Sequence, residues 1–136
     1  MEKAEVLIIM GSESDRTVMT KAEEVLKGQS VGYETHVSSA HRNPDATRAL
    51  VVDAAGRGIK VVIAGAGMSA ALPGFCASYT GLPVIGVPIA SGPLGGIDAL
   101  LSISQMPPGV PVATVAINGA KNAAHLAVRI IRSHGD

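Results

Sequence analysis

Short runs of aliphatic and β-branched residues alternate along this chain with longer segments whose apolar positions recur at helical spacing. Residues 5–10, 31–37, 60–64, 83–87 and 112–117 are such runs, bounded by Gly, Pro or Ser, and they predict five strands. Between them, residues 15–27 set Val18, Ala22, Val25 and Leu26 on one helical face, and residues 45–56 do the same with Ala46, Ala49, Leu50 and Ala54. Residues 72–79, 98–105 and 118–132 complete the predicted helices. Strict alternation of strand and helix predicts an α/β fold with a parallel sheet covered on both faces. The expectation is one three-layer αβα domain over residues 1–136, with a flavodoxin-like parallel five-stranded sheet. In such sheets ligands sit outside the carboxyl ends of the strands, beside the switch in strand order. Function is therefore expected in the loops at residues 11–15, 38–44, 65–74 and 88–96, with 117–122 a weaker candidate.

Composition narrows the class. Eleven basic against eleven acidic side chains give no net charge, which argues against nucleic acid as a partner, since that needs a concentrated basic field. The single cysteine, Cys76, excludes a disulfide framework within the chain and points to a reducing compartment. Three of the first five residues are charged and the apolar run at 6–10 is too short for a signal-peptide core, so a cytoplasmic location is expected. Residues 61–97 carry no formal charge, yet Pro73, Pro83, Pro88, Pro93 and several glycines interrupt them before a helix could span a bilayer. No membrane association is expected. A small domain with mean hydropathy +0.35 cannot hide all its apolar surface in its own core, which predicts large subunit interfaces.

Two loops carry most of the chemistry. Gly11-Ser12-Glu13-Ser14-Asp15 follows the first strand and opens the first helix, where hydroxyls and free helix N–H groups can hold a phosphate or simply cap the helix. Ser38-Ser39-Ala40-His41-Arg42-Asn43-Pro44 joins hydroxyls, an imidazole that exchanges protons near neutral pH and an arginine fork suited to phosphate. Two such loops on neighbouring strand ends favour a phosphorylated small molecule and proton transfer. Residues 64–70, Ala-Gly-Ala-Gly-Met-Ser-Ala, match the G-x-G-x-x-A dinucleotide pattern formally, but no acidic residue stands at the next strand end to bind a ribose. A backbone-lined pocket for a small planar ligand, or close packing of backbones, suits that stretch better. Cys76 and Met68 read locally as packing residues, and the proline-rich segment at 105–111 as a rigid turn. His36, His125 and His134 show no ligand cluster, so neither a metal nor another cofactor is expected.

These motifs, together with Leu72-Pro73-Gly74, Gly96-Ile97-Asp98-Ala99-Leu100-Leu101-Ser102, Gln105-Met106-Pro107, Gly109-Val110-Pro111-Val112-Ala113-Thr114 and Asn122-Ala123-Ala124, resemble the PurE family of purine biosynthesis, in register over nearly the whole chain. The family comprises N5-carboxyaminoimidazole ribonucleotide mutases and the related aminoimidazole ribonucleotide carboxylases. The resemblance implies a flavodoxin-like fold, a homo-oligomer of octameric type and no cofactor. It further implies that Ser12, Ser14 and Arg42 hold the substrate phosphate, that Asp15 binds the ribose hydroxyls with Ser39 shaping that pocket, and that His41 carries the proton. Ala64, Gly65, Gly67, Met68, Ser69, Ala71 and Leu72 would wall the aminoimidazole and the carbon dioxide site, with residues 90–96 nearby. The implied reaction moves a carboxylate from N5 to C4 of aminoimidazole ribonucleotide through trapped CO2, on a carbamate made upstream by an ATP-dependent enzyme.

One departure bears on the reaction. Bacterial mutases carry His-Leu-Pro-Gly where this chain reads Ala71-Leu72-Pro73-Gly74, which opens the alternative of direct carboxylation with CO2. The animal-type carboxylases also lack that histidine but carry Lys where Arg42 stands. The residue 67–73 loop is also similar to that of the carboxylase of nicotinic acid adenine dinucleotide, a second alternative. A non-catalytic nucleotide-binding module is the third.

Overall fold

The computed structural model describes residues 3–134; the remaining ends of the expected domain lie outside the described residues. Five parallel strands, β1 (Ala4–Met10), β2 (Gly32–Val37), β3 (Val61–Gly67), β4 (Val84–Ile89) and β5 (Ala113–Thr114), alternate with five helices. These are α1 (Arg16–Gly28), α2 (Pro44–Val52), α3 (Leu72–Tyr79), α4 (Ile97–Ser104) and α5 (Ala120–Arg132). The strand order β2-β1-β3-β4-β5 is that of the flavodoxin-like fold, and the order reverses between β1 and β3.

The central strands are apolar at consecutive positions because both faces are covered. Val6, Ile8 and Met10 of β1 pack with Ile63, Ile85 and Val87 against Met19, Ala22 and Leu26 of α1 and the Ala120, Ala123, Ala124, Ala127 stripe of α5. Leu7, Ile9, Val62 and Ala64 face the opposite layer, where Val51, Leu72, Cys76, Ala99 and Ile103 come from α2, α3 and α4. The alanine stripe has little side-chain bulk, so α5 lies close to the sheet. No helix of the described residues is long and apolar enough to cross a membrane.

Boundaries differ from the sequence expectation in three informative places. β3 and β4 run further toward their carboxyl ends, because Gly65, Ala66 and Gly67 pair with Val87, Pro88 and Ile89. Weak strand propensity is overridden there by pairing. β5 is reduced to two residues beside Ile85 and Gly86, since the chain leaves the sheet edge to reach the end of β4. α2 stops at Val52, and its expected last turn becomes a 3-10 turn at Ala55–Arg57 closed by Gly58 at φ 95°.

Candidate active site

The loop after β1 turns at Gly11 into a 3-10 turn, Glu13–Asp15, that leads into α1. Ser12 Oγ accepts the Ser14 N–H at 3.3 Å, and the Asp15 carboxylate accepts the Ser12 N–H at 3.1 Å. That reciprocal pair is a capping box, so the capping role of this loop is real. The same residues also face a cavity, because Gly11, Ser12, Ser14 and Asp15 all line it, and the Ser12 and Ser14 hydroxyls lie 3.0 Å apart on its wall. Asp15 is only 6% exposed. Burial holds its carboxyl above the ordinary aspartate range, an effect partly offset by the Ser12 N–H.

The loop after β2 is held from below. Ser38 and Thr47 are both buried, with their hydroxyls 2.6 Å apart, and Thr47 Oγ1 lies 2.9 Å from the carbonyls of both Ser39 and Asn43. Above them Ser39 Oγ accepts the Arg42 N–H at 3.1 Å, and Asn43 N–H donates to the Ser39 carbonyl at 3.0 Å. The backbone of the loop is thus tied at both ends, while His41 and Arg42 are exposed and line the cavity. Among the described ion pairs none engages Arg42, which leaves its fork available to an anion.

The third wall comes from the end of β3. Gly67, Met68, Ser69, Ala71 and Leu72 line the cavity, together with Ala66 and Ala70. Ala64 and Gly65 do not, because both are buried within β3. A side chain at Gly65 would meet the end of Met19 and Ile89 Cδ1, so the residue serves close packing of α1 on the sheet. Met68 is not the packing residue its pattern suggests: it is 53% exposed and held at φ 53° on the cavity wall. α3 begins only at Leu72, after β3 has continued through Gly67, so this glycine stretch lacks the tight strand-to-helix turn that a dinucleotide fingerprint needs.

The loop after β4 contributes Ser91, and Ala40 closes the wall between Ser39 and His41. Neither alanine nor a lone serine carries a chemical signature, so only their position after a strand could have marked them. Cys76 lies beneath this wall in α3, where burial pushes its thiol up to about 12 and keeps it protonated.

The cavity holds about 480 Å3, within the range of small-molecule sites. Hydroxyls, helix-start N–H groups and a guanidinium stand on the side made by the first two loops, and the imidazole is beside them. Ala66, Ala70, Ala71 and Leu72 make an apolar wall from the third. The arrangement suits an anionic group at the polar side, a small uncharged moiety against the alanines and a proton exchanged with His41.

Known proteins are similar to this chain over most of its length. The AIR carboxylase family profile matches residues 5–136. An N5-carboxyaminoimidazole ribonucleotide mutase of Saccharolobus solfataricus is 59% identical over 126 residues, covering 93% of this chain and 80% of that protein. The phosphoribosylaminoimidazole carboxylase of Saccharomyces cerevisiae is 54% identical over 134 residues, 98% of this chain but 24% of that protein. A crystal structure of Treponema denticola PurE superposes with TM-score 0.85 at 34% identity, covering 96% of this chain and 81% of the other. With a profile match over almost its whole length and relatives above half identity, this chain belongs to the AIR carboxylase family.

Proposed function

We propose that this protein is a purine-biosynthesis enzyme that converts N5-carboxyaminoimidazole ribonucleotide to the C4-carboxylated isomer. The observation that carries this reading is the meeting of Ser12, Ser14, Asp15, Ser39, His41 and Arg42 with an alanine-rich wall in one cavity. Ser12, Ser14 and Arg42 bind the phosphate, Asp15 accepts hydrogen bonds from the ribose hydroxyls and Ser39 keeps the Arg42 backbone in place. Gly67, Met68, Ser69, Ala71 and Leu72 enclose the ring, while Ala64 and Gly65 support that wall from inside β3.

His41 begins as the acid. It protonates N5 as the N–C bond of the carbamate breaks, which releases CO2 and leaves aminoimidazole ribonucleotide. The electron-rich C4 attacks the CO2 carbon, forming the new C–C bond and a carboxylate. Neutral His41 then removes the proton from C4, restoring the ring and its own starting state. The apolar wall keeps CO2 against C4 long enough for attack.

A direct carboxylation is the second reading. It is favoured by Ala71, which puts no hydrogen-bonding side chain on this wall, and by the likeness to the yeast carboxylase. Turnover of the carbamate at low bicarbonate establishes the mutase, whereas product only from aminoimidazole ribonucleotide with CO2 establishes the carboxylase. Product from neither overturns both.

The enzyme is further proposed to work in the cytoplasm as a homo-oligomer of octameric type, supplied with carbamate by an ATP-dependent enzyme. Leu94, Ile97 and Leu101 support the assembly, being 62%, 58% and 54% exposed on one side of α4 and the loop before it. A monomer by light scattering at micromolar concentration excludes it.

A further inference from the structure

We infer that Asn118, which lies outside the cavity, is a positioning residue for the fourth wall of the site. It stands where the chain leaves β5, and among the described residues it is one of three non-glycine residues held at positive φ, at 60°. Its carbonyl accepts the Ala120 N–H at 3.0 Å, and its other two polar contacts reach the end of β4. Its N–H donates to the Pro88 carbonyl at 2.7 Å, and its side-chain Oδ1 accepts the Ala90 N–H at 2.9 Å. The left-handed conformation is unfavourable for an L-residue, and Asn tolerates it better than most. One residue thereby clamps the loop at 90–96 on both sides of Ile89.

The far end of that loop closes on the same point. Gly96 adopts φ 96°, and a side chain there would meet Ile117 Cγ2 at 2.7 Å and Ala90 Cα at 3.2 Å. Ala90 therefore donates to Asn118 on one side and is closely approached by Gly96 on the other. The next residue, Ser91, reaches the cavity, and its hydroxyl occupies the space that a side chain at Gly67 would need. The path from Asn118 through Ala90 to Ser91 and Gly67 joins a remote amide to the wall against which CO2 is held. This assignment rests on the carboxylate-transfer reading above.

The consequence is a leak rather than a loss of binding. Ser12, Ser14 and Arg42 belong to loops that Asn118 does not touch, so substrate affinity stays the same when the anchor is cut. CO2 set free beside a loosened wall escapes more often before C4 attacks it, and decarboxylated aminoimidazole ribonucleotide accumulates.

Asn118→Gly keeps the backbone conformation and removes Oδ1, whereas Asn118→Asp keeps an oxygen acceptor. Two readouts on the full-length protein test the anchor. Amide hydrogen exchange at Ala90 and Ser91 is expected to quicken about 3- to 10-fold in Asn118→Gly, as the loss of one hydrogen bond allows, and to return toward wild type in Asn118→Asp. With the carbamate as substrate, the ratio of decarboxylated to C4-carboxylated product is expected to rise by a similar factor in Asn118→Gly, with KM unchanged and the Asp variant restored. Unchanged exchange, an unchanged product ratio despite faster exchange, or failure of Asp to restore either would overturn the anchor. A wild-type enzyme that forms no C4-carboxylated product defeats the functional reading instead, and the exchange comparison still decides whether Asn118 holds the loop.

Discussion

The hydroxyls of Ser38 and Thr47 lie 2.6 Å apart in the interior, directly beneath the loop that carries His41 and Arg42. Thr47 is fully buried and Ser38 is 6% exposed, so neither can turn to water if its partner is lost. Thr47→Val preserves shape and strands the Ser38 hydroxyl. It is expected to cost about 1–3 kcal/mol of stability, the usual range for an orphaned buried polar group. The double variant Ser38→Ala/Thr47→Val leaves no orphan and is expected to recover a large part of that loss. Urea denaturation of the two single variants and the double measures the coupling, and strictly additive losses would exclude it.

His41 is exposed at its loop and lines the cavity wall, and none of the described hydrogen bonds ties its side chain to the fold. His41→Asn is therefore expected to abolish carboxylate transfer while leaving the unfolding free energy within about 0.5 kcal/mol of wild type, as for other exposed substitutions. Near-wild-type turnover in this variant would remove His41 from the mechanism.

Asp15 gives a pH dependence with a defined sign. Its carboxyl is held above the ordinary range by burial, so the folded state binds a proton more readily than the unfolded chain does. The stability this group contributes is present below the unfolded aspartate range and is lost as pH rises through the higher folded value. At neutral pH the ionised, buried carboxylate is retained at a cost to folding. Asp15→Asn is expected to raise the unfolding midpoint at pH 7 and to lose that advantage as pH falls below about 4, where wild-type Asp15 is protonated. It is also expected to raise KM, because a carboxylate accepts from two ribose hydroxyls and an amide offers only one oxygen. A midpoint gain that persists unchanged to low pH would show that the charge is not the cause.

The order and type of the five strands and five α-helices were legible because the central strands are apolar at consecutive positions and the longer helices show an apolar stripe. The ends of the elements were not. Gly65 and Gly67 look like the start of a loop, yet both pair with β4, and only knowledge of what packs on the sheet reveals why glycine is required. The lining of the cavity was legible where side chains carry chemistry, at Ser12, Asp15, His41 and Arg42. It was less legible where a residue lines the cavity by position alone. Ser91, Ala66 and Ala70 have unremarkable side chains and enter the cavity wall through backbone course, and Asn118 acts across 28 residues of sequence through Ala90. Met68 shows the same limit, since an apolar residue among apolar neighbours gives no sign of a left-handed backbone that turns it outward.

Two strand glycines separate rigid from yielding neighbours. A methyl group at Gly65 would meet the flexible end of Met19, with Ile89 Cδ1 at 3.1 Å, whereas one at Gly86 would meet Ile103 Cγ2, Val112 Cγ1 at 3.1 Å and Pro73 Cβ at 3.2 Å. Those three neighbours are branched or cyclic and come from α4, the approach to β5 and α3. A thioether tail can swing by rotation about its terminal bonds, while β-branched and ring carbons sit one bond from the backbone and have few alternative rotamers. Gly86→Ala is thus expected to destabilise at the upper end of the roughly 1–3 kcal/mol seen for overpacked cores, and Gly65→Ala at the lower end. Equilibrium unfolding of both variants in urea ranks them. Equal losses would mean that the Met19 tail is as fixed as the packed branch points around Gly86. A larger loss at Gly65 would mean that close approach of α1 to the sheet, rather than the seating of α3 and α4, limits the packing of this fold.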